Sequence, residues 1–149
     1  MIAYEAMQPL DPVGNISLIL QVTILFLLIV GLPFVRVEKS KKNLMRHGYF
    51  TVAALILHTI LIFVVMVPAF GNGIPELGEL SMFNAVNVWS HVILGTLAEI
   101  LGLVIVGFWF SELPSRMACA KLKKVMLPLF IIWVISLING SLIHILGML

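Results

Sequence analysis

Six polar residues interrupt apolar stretches of this 149-residue chain: Gln21, His58, His91, Glu99, Asn139 and His144. Hydrocarbon excludes such groups unless they are paired or used, so each is a candidate for function. Glu99 is the most expensive of them to place. Counted at 1.5 Å per residue from the nearer basic segments, Glu99 and His58 fall at one depth near the middle of a bilayer. A carboxyl and an imidazole at one level can share a proton or a hydrogen bond. They could form part of a proton path or a quinone-binding group. They could equally be an interhelical clamp, completed by Asn139 or Gln21.

His91 and His144 count to a second shared level, about 30 Å from the same boundary. Two imidazoles at matched height on antiparallel neighbours would suit a bis-histidine haem b. Small residues recur beside each: Gly95, Ala98 and Gly102 follow His91, and Ser136, Gly140 and Gly147 surround His144. A porphyrin face needs that space, although small residues at this spacing are also how membrane helices approach one another. Met66 reaches the same level, and a thioether with two imidazoles would suit copper as an alternative. His47, beside Arg46, is expected to contact lipid headgroups.

Other chemistry is poorly represented. Cys119 is the only cysteine, so no CxxC redox motif and no intrachain disulfide exist. HExxH is absent, which argues against zinc hydrolysis. No complete catalytic motif is present, and an electron-transfer or accessory protein is expected rather than a stand-alone enzyme.

The elements that must position these residues follow from composition. The chain is 61% hydrophobic and 11% charged, so most of its apolar surface must face lipid or protein. Apolar runs at roughly residues 15–35, 48–70, 86–110 and 125–148 are each long enough to cross about 30 Å as helix. They lack the period-two alternation of barrel strands. The expected fold is all-α: one transmembrane domain over residues 1–149, a four-helix integral membrane bundle with sequential spans antiparallel. Leu77 to Phe83 would form a short interfacial segment, and Pro128 would sit in the first turn of the fourth span, where proline is tolerated.

All nine Lys and Arg residues lie in two segments, Arg36 to Arg46 and Arg116 to Lys124. The positive-inside rule puts both segments in the cytoplasm and both termini outside, with Glu5, Asp11, Glu76 and Glu79 on the outer face. The location expected is the cytoplasmic membrane of a prokaryote. The basic face suits anionic membrane lipid and gives no reason to invoke nucleic acid. A quinone, a respiratory complex and a second copy of the chain are the partners compatible with this arrangement.

The runs Met45-Arg46-His47-Gly48, Ala53-Ala54-x-x-x-His58, Val65-Met66-Val67-Pro68 and His91-x-x-Leu94-Gly95-Thr96-x-Ala98-Glu99-x-x-Gly102 together resemble an uncharacterised family of small four-helix membrane proteins of archaea and bacteria. The segment from His91 to Gly102 is the most specific part. Related bacterial proteins are associated with maturation of haem-copper oxidases, so the resemblance implies a haem- or copper-handling role. It carries over His58 and His91 and does not extend to His144. Two functions are therefore expected to compete. One is a small b-type cytochrome holding haem through His91 and His144, with Gly95 and Gly140 giving it room and His58, Glu99 and Asn139 as its polar network. The other is a non-catalytic assembly or accessory subunit of a respiratory complex. An ion or solute transporter is a weaker third, because four spans enclose little volume.

Overall fold

The computed structural model describes residues 12–36, 40–73, 81–112 and 116–145. These hold four helices long and apolar enough to cross a membrane. The first is α1 (Pro12–Gly31), followed after a bend at Leu32 by the short α2 (Pro33–Arg36). The second is compound: α3 (Lys41–Leu61), a π-helical turn (Ile62–Met66) and α4 (Val67–Gly73). The third is α5 (Met82–Glu112) and the fourth α6 (Arg116–Ile145). Residues 1–11, 37–39, 74–80, 113–115 and 146–149 lie outside this description, and with them most of the expected interfacial segment.

Local chemistry sets the ends. Ser40 is the N-cap of α3, its hydroxyl accepting the Asn43 N–H at 3.3 Å, and Ser81 does the same for Asn84 at the start of α5. The π turn has an identifiable cause at its end. Pro68 has no N–H, and its ring crowds the carbonyl four residues back. One residue earlier, the Val67 N–H reaches back five residues to the Ile62 carbonyl.

Pro128 and the basic segment before it differ from expectation. Residues 116 to 124 are the first turns of α6, so Pro128 stands in the helix interior rather than in its first turn. That lengthens the fourth helix by more than two turns toward the basic end and leaves only three residues between α5 and α6.

Each spanning element packs against two others, in the closed order α1, α3, α5, α6 and back to α1. Buried positions recur every three or four residues: Ser17, Gln21, Ile24 and Leu28 on α1, and Leu129, Trp133, Ser136, Leu137 and Gly140 on α6. This is the helical period with its narrow stripe turned inward. The core comprises Ile24, Leu28, Ala54, Leu55, Leu61, Ala98, Ile105, Leu129, Trp133 and Leu137. Large apolar residues such as Ile19, Val22, Phe26, Phe63, Leu103 and Phe108 point outward, which in water would be untenable and in lipid is required.

Close approach of α3 and α5 near the basic end depends on Gly48. A Cβ there would lie 2.3 Å from the Trp109 ring. Gly107 faces open space. Gly48→Ala is therefore expected to destabilise the bundle by about 1–3 kcal/mol through overpacking, and Gly107→Ala to leave stability unchanged or raise it by up to about 1 kcal/mol. Thermal unfolding of the two variants in detergent checks this contrast.

Candidate functional site

Glu99 and His58 meet in the interior. His58 Nδ1 lies 2.7 Å from Glu99 Oε2, with His58 fully buried and Glu99 9% exposed. The other carboxyl oxygen, Oε1, is in hydrogen-bond contact with the hydroxyl of Thr59. That hydroxyl also lies 2.9 Å from the Leu55 carbonyl. Both oxygens of a buried carboxyl are thus satisfied by adjacent residues of one helix. On its far side the His58 ring packs on Trp133 of α6, centroids 5.4 Å apart and planes tilted by 59°. Sequence spacing placed His58 and Glu99 at one depth, gave no role to Thr59 or Trp133, and read Ser136 only as a small residue beside His144. The cue for Thr59 was its adjacency to His58, since consecutive residues can touch two parts of one partner.

His91 sits two turns beyond Glu99 on the same face of α5, with Gly95 between them. Its Nδ1 lies 2.9 Å from the Ser136 carbonyl, so it donates its proton there. The Ser136 hydroxyl lies 3.3 Å from the His91 carbonyl and fills the space beside Gly95. Gly140 admits the other groups that converge here. A Cβ on it would be 2.5 Å from His91 Cε1 and 2.6 Å from Gln21 Oε1. Gln21 is tied to Ser17 at 3.1 Å and to the Ser141 hydroxyl at 3.3 Å. Asn139 does not complete the Glu99 cluster; its amide donates to the Asn87 carbonyl at 3.1 Å and to the Ser90 hydroxyl at 2.8 Å.

The matched height of His91 and His144 does not hold. His91 is level with Ser136, and His144 lies eight residues further along α6, about 12 Å at the helical rise. The reason is the early start of α6: levels must be counted from Glu112 and Arg116, the facing ends of α5 and α6. Gly95, Gly102 and Gly140 are filled respectively by Ser136, by Leu55 with Trp133, and by His91 with Gln21. In this arrangement His91 and His144 do not fit a shared bis-histidine haem.

The residues expected for copper are placed as follows. Met66 ends the π turn and packs against the apolar core. Among the described residues no three His, Cys, Asp or Glu side chains converge as a metal site. His47 turns inward rather than to headgroups: its Nδ1 lies 3.0 Å from the Gly31 carbonyl of α1, while Arg46 lies over the Phe34 ring.

The polar groups are distributed asymmetrically along the bundle. From Glu99 toward the end opposite the basic segments come Ser136 with His91, Asn139 with Ser90 and Asn87, and Gln21 with Ser17 and Ser141. Toward the basic end the described interior is Ala54, Leu55, Gly102, Ile105 and Leu129 before Thr51 and His47 are reached. Polar side chains therefore lie in separate hydrogen-bonded clusters on one side of the Glu99 level, and apolar side chains predominate on the other.

These features define the class: a four-span, all-α membrane protein with a buried carboxyl–imidazole couple at mid-depth. Comparison with protein-family models, curated proteins and solved structures finds no match to the chain.

Breaking the couple on one side leaves a buried group without its partner. His58→Ala is expected to cost about 3–5 kcal/mol, whereas replacing both groups, as His58→Leu with Glu99→Met, should recover most of that loss. Unfolding in mixed micelles, read as a double-mutant cycle, measures the difference.

Proposed function

We propose that this protein is a proton-binding component of a prokaryotic cytoplasmic membrane, its basic end in the cytoplasm and its working centre the Glu99–His58–Thr59 cluster. Protons reach the cluster from the outer face through the polar clusters on that side. The apolar side chains on the other side stop them from crossing. A site of this kind serves a redox partner, a quinol or a respiratory complex, that releases or takes up protons on that face.

The observation that carries this reading is the position of Thr59. Its hydroxyl has one proton and two neighbours, the Leu55 carbonyl and Glu99 Oε1. When Glu99 is ionised, the hydroxyl turns to donate to Oε1. When Glu99 holds a proton on Oε1, that O–H donates to Thr59, and the hydroxyl turns to the Leu55 carbonyl. Both protonation states leave every atom of this contact paired, at no cost beyond a hydroxyl rotation. A clamp needs only one state; an amide would provide it without placing an ionisable group in lipid.

A second reading has its own support. His91 donates Nδ1–H to a backbone carbonyl, which leaves Nε2 as the lone-pair nitrogen, the tautomer of imidazoles that ligate metals. A b-type cytochrome would use His91 in that way. Its other ligand would have to come from a residue or chain that the bundle does not place opposite. Failing a cofactor, the accessory-subunit alternative remains, in which the same proton site serves a partner that carries the redox group.

Proton titration of the protein in proteoliposomes tests the first reading. Wild type should bind a proton that Glu99→Gln does not, Thr59→Ser should retain it, and Thr59→Val should weaken the folded state by about 1–3 kcal/mol through the unpaired oxygen. Identical titration of wild type and Glu99→Gln would contradict the proposal. The reduced-minus-oxidised optical spectrum tests the second: a low-spin haem band lost in His91→Ala supports it, and a featureless spectrum from haem-supplied cells removes it.

A further inference from the structure

Two cations at the basic end of the bundle share one exposed face. Lys42 and Arg46 stand four residues apart on α3, about one helical turn, and both are exposed. Among the described side chains the one carboxylate is Glu99, which is committed to His58 in the interior. The Arg46 guanidinium is nevertheless held in place, its Cζ 5.7 Å from the centroid of the Phe34 ring. The bend at Leu32 turns α2 so that Phe34 stacks on Phe50 of α3, centroids 5.7 Å apart and planes within 9°. His47 Nδ1 fastens the same corner to the Gly31 carbonyl at 3.0 Å. A guanidinium resting on an aromatic face presents its N–H fork to a bidentate acceptor and loses little freedom when one arrives.

The same face of α3 continues into the membrane as an apolar track. Tyr49, Ala53, Ile56 and Ile60 follow Arg46 at intervals of three and four residues, the spacing of one helical stripe. Tyr49, Ile56 and Ile60 are exposed, and Ala53 projects only a methyl group between them. Tyr49 rests on the edge of the Trp109 ring, centroids 6.0 Å apart, at the level where headgroups meet acyl chains and aromatic side chains are favoured. From Arg46 to Ile60 the helix rises about 21 Å. That is the thickness of one leaflet with its headgroups, about half of the ~40–45 Å bilayer.

We infer that this face of α3 binds one anionic phospholipid of the leaflet on the basic side. Its phosphodiester sits between Lys42 and Arg46, its glycerol beside Tyr49, and an acyl chain along Ala53, Ile56 and Ile60. Charge complementarity selects the occupant. Phosphatidylglycerol brings a net negative charge to two cations, whereas the ammonium of a zwitterionic lipid opposes them. Inorganic phosphate matches the cations and leaves the apolar track unused. The site involves no residue of the Glu99 cluster, so it stands independently of the proton-binding reading.

Native mass spectrometry of the full-length protein in neutral detergent tests the site. The protein is titrated with phosphatidylglycerol and with phosphatidylcholine of the same acyl chains, and inorganic phosphate serves as competitor. The first phosphatidylglycerol should bind about 25-fold more tightly than phosphatidylcholine, about fivefold for each cation. Lys42→Gln and Arg46→Gln should each lower that preference about fivefold. Lys124 is exposed on α6, across the ring from α3, and Lys124→Gln should change it by less than about twofold in ~0.15 M ammonium acetate, where charges are screened within about 8 Å. Inorganic phosphate at the lipid concentration should not displace the lipid. If Arg46→Gln does not fold, Arg46→Lys and Lys42→Gln supply the same reading, the former losing the bidentate fork while keeping the charge. Equal binding of the two lipids overturns the inference. So does a loss in Lys124→Gln as large as that in Lys42→Gln, which a diffuse basic face would give, or displacement by inorganic phosphate.

Discussion

Hydrocarbon offers no hydrogen bonds, so the polar groups in this bundle depend on one another for their partners. The contact that depends on this most heavily is the one between His58 and Glu99. Placing a carboxyl and an imidazole in lipid is costly unless both are bonded, and here one carboxyl oxygen takes the ring nitrogen and the other the Thr59 hydroxyl. That requirement fixes the rotation and height of α3 against α5. Other interfaces follow the same rule with milder groups: His47 to Gly31 joins α3 to α1, His91 to Ser136 joins α5 to α6, and Ser141 to Gln21 joins α6 to α1. Polar ties set the register around the ring, and glycine and serine set how closely the backbones approach.

The structural and functional uses of these ties are separable. An amide such as Asn139, bonded to Asn87 and Ser90, has one satisfied arrangement and holds two helices in place. The Glu99 cluster has two, differing by one proton and the rotation of one hydroxyl. On the proposed function the apolar residues beneath it would give proton exchange a direction, because a proton needs acceptors and Ala54, Leu55, Ile105 and Leu129 supply none from their side chains. The π turn begins three residues after Thr59, where the chain passes from the ionisable cluster toward the end opposite the basic segments.

Much of this was legible in the residues themselves. Continuous apolar runs with two basic segments define four antiparallel helices, since length and composition suffice for that. Depth counting also placed Glu99 and His58 together, because both lie well inside their helices. It failed for His91 and His144, where the level depends on where the helix begins. Lys121, Lys123 and Lys124 suggest a solvated loop, yet a helix continues through them. Side-chain partners within a helix face were harder still. Thr59, Ser136 and Trp133 are ordinary residues of apolar spans, and only packing shows which of them touches an ionisable group. The glycines were read as space for a cofactor; the close packing of membrane helices uses that space.

The central claim is that Glu99 exchanges protons with one side of the membrane. The most direct measurement is the infrared carboxyl band of Glu99, assigned by its loss in Glu99→Gln, in oriented proteoliposomes after a pH jump on one face. The account predicts that the band responds to a jump on the face opposite the basic segments and stays unchanged when the jump is made on the basic face. A band that responds equally to both faces, or to neither, would contradict it.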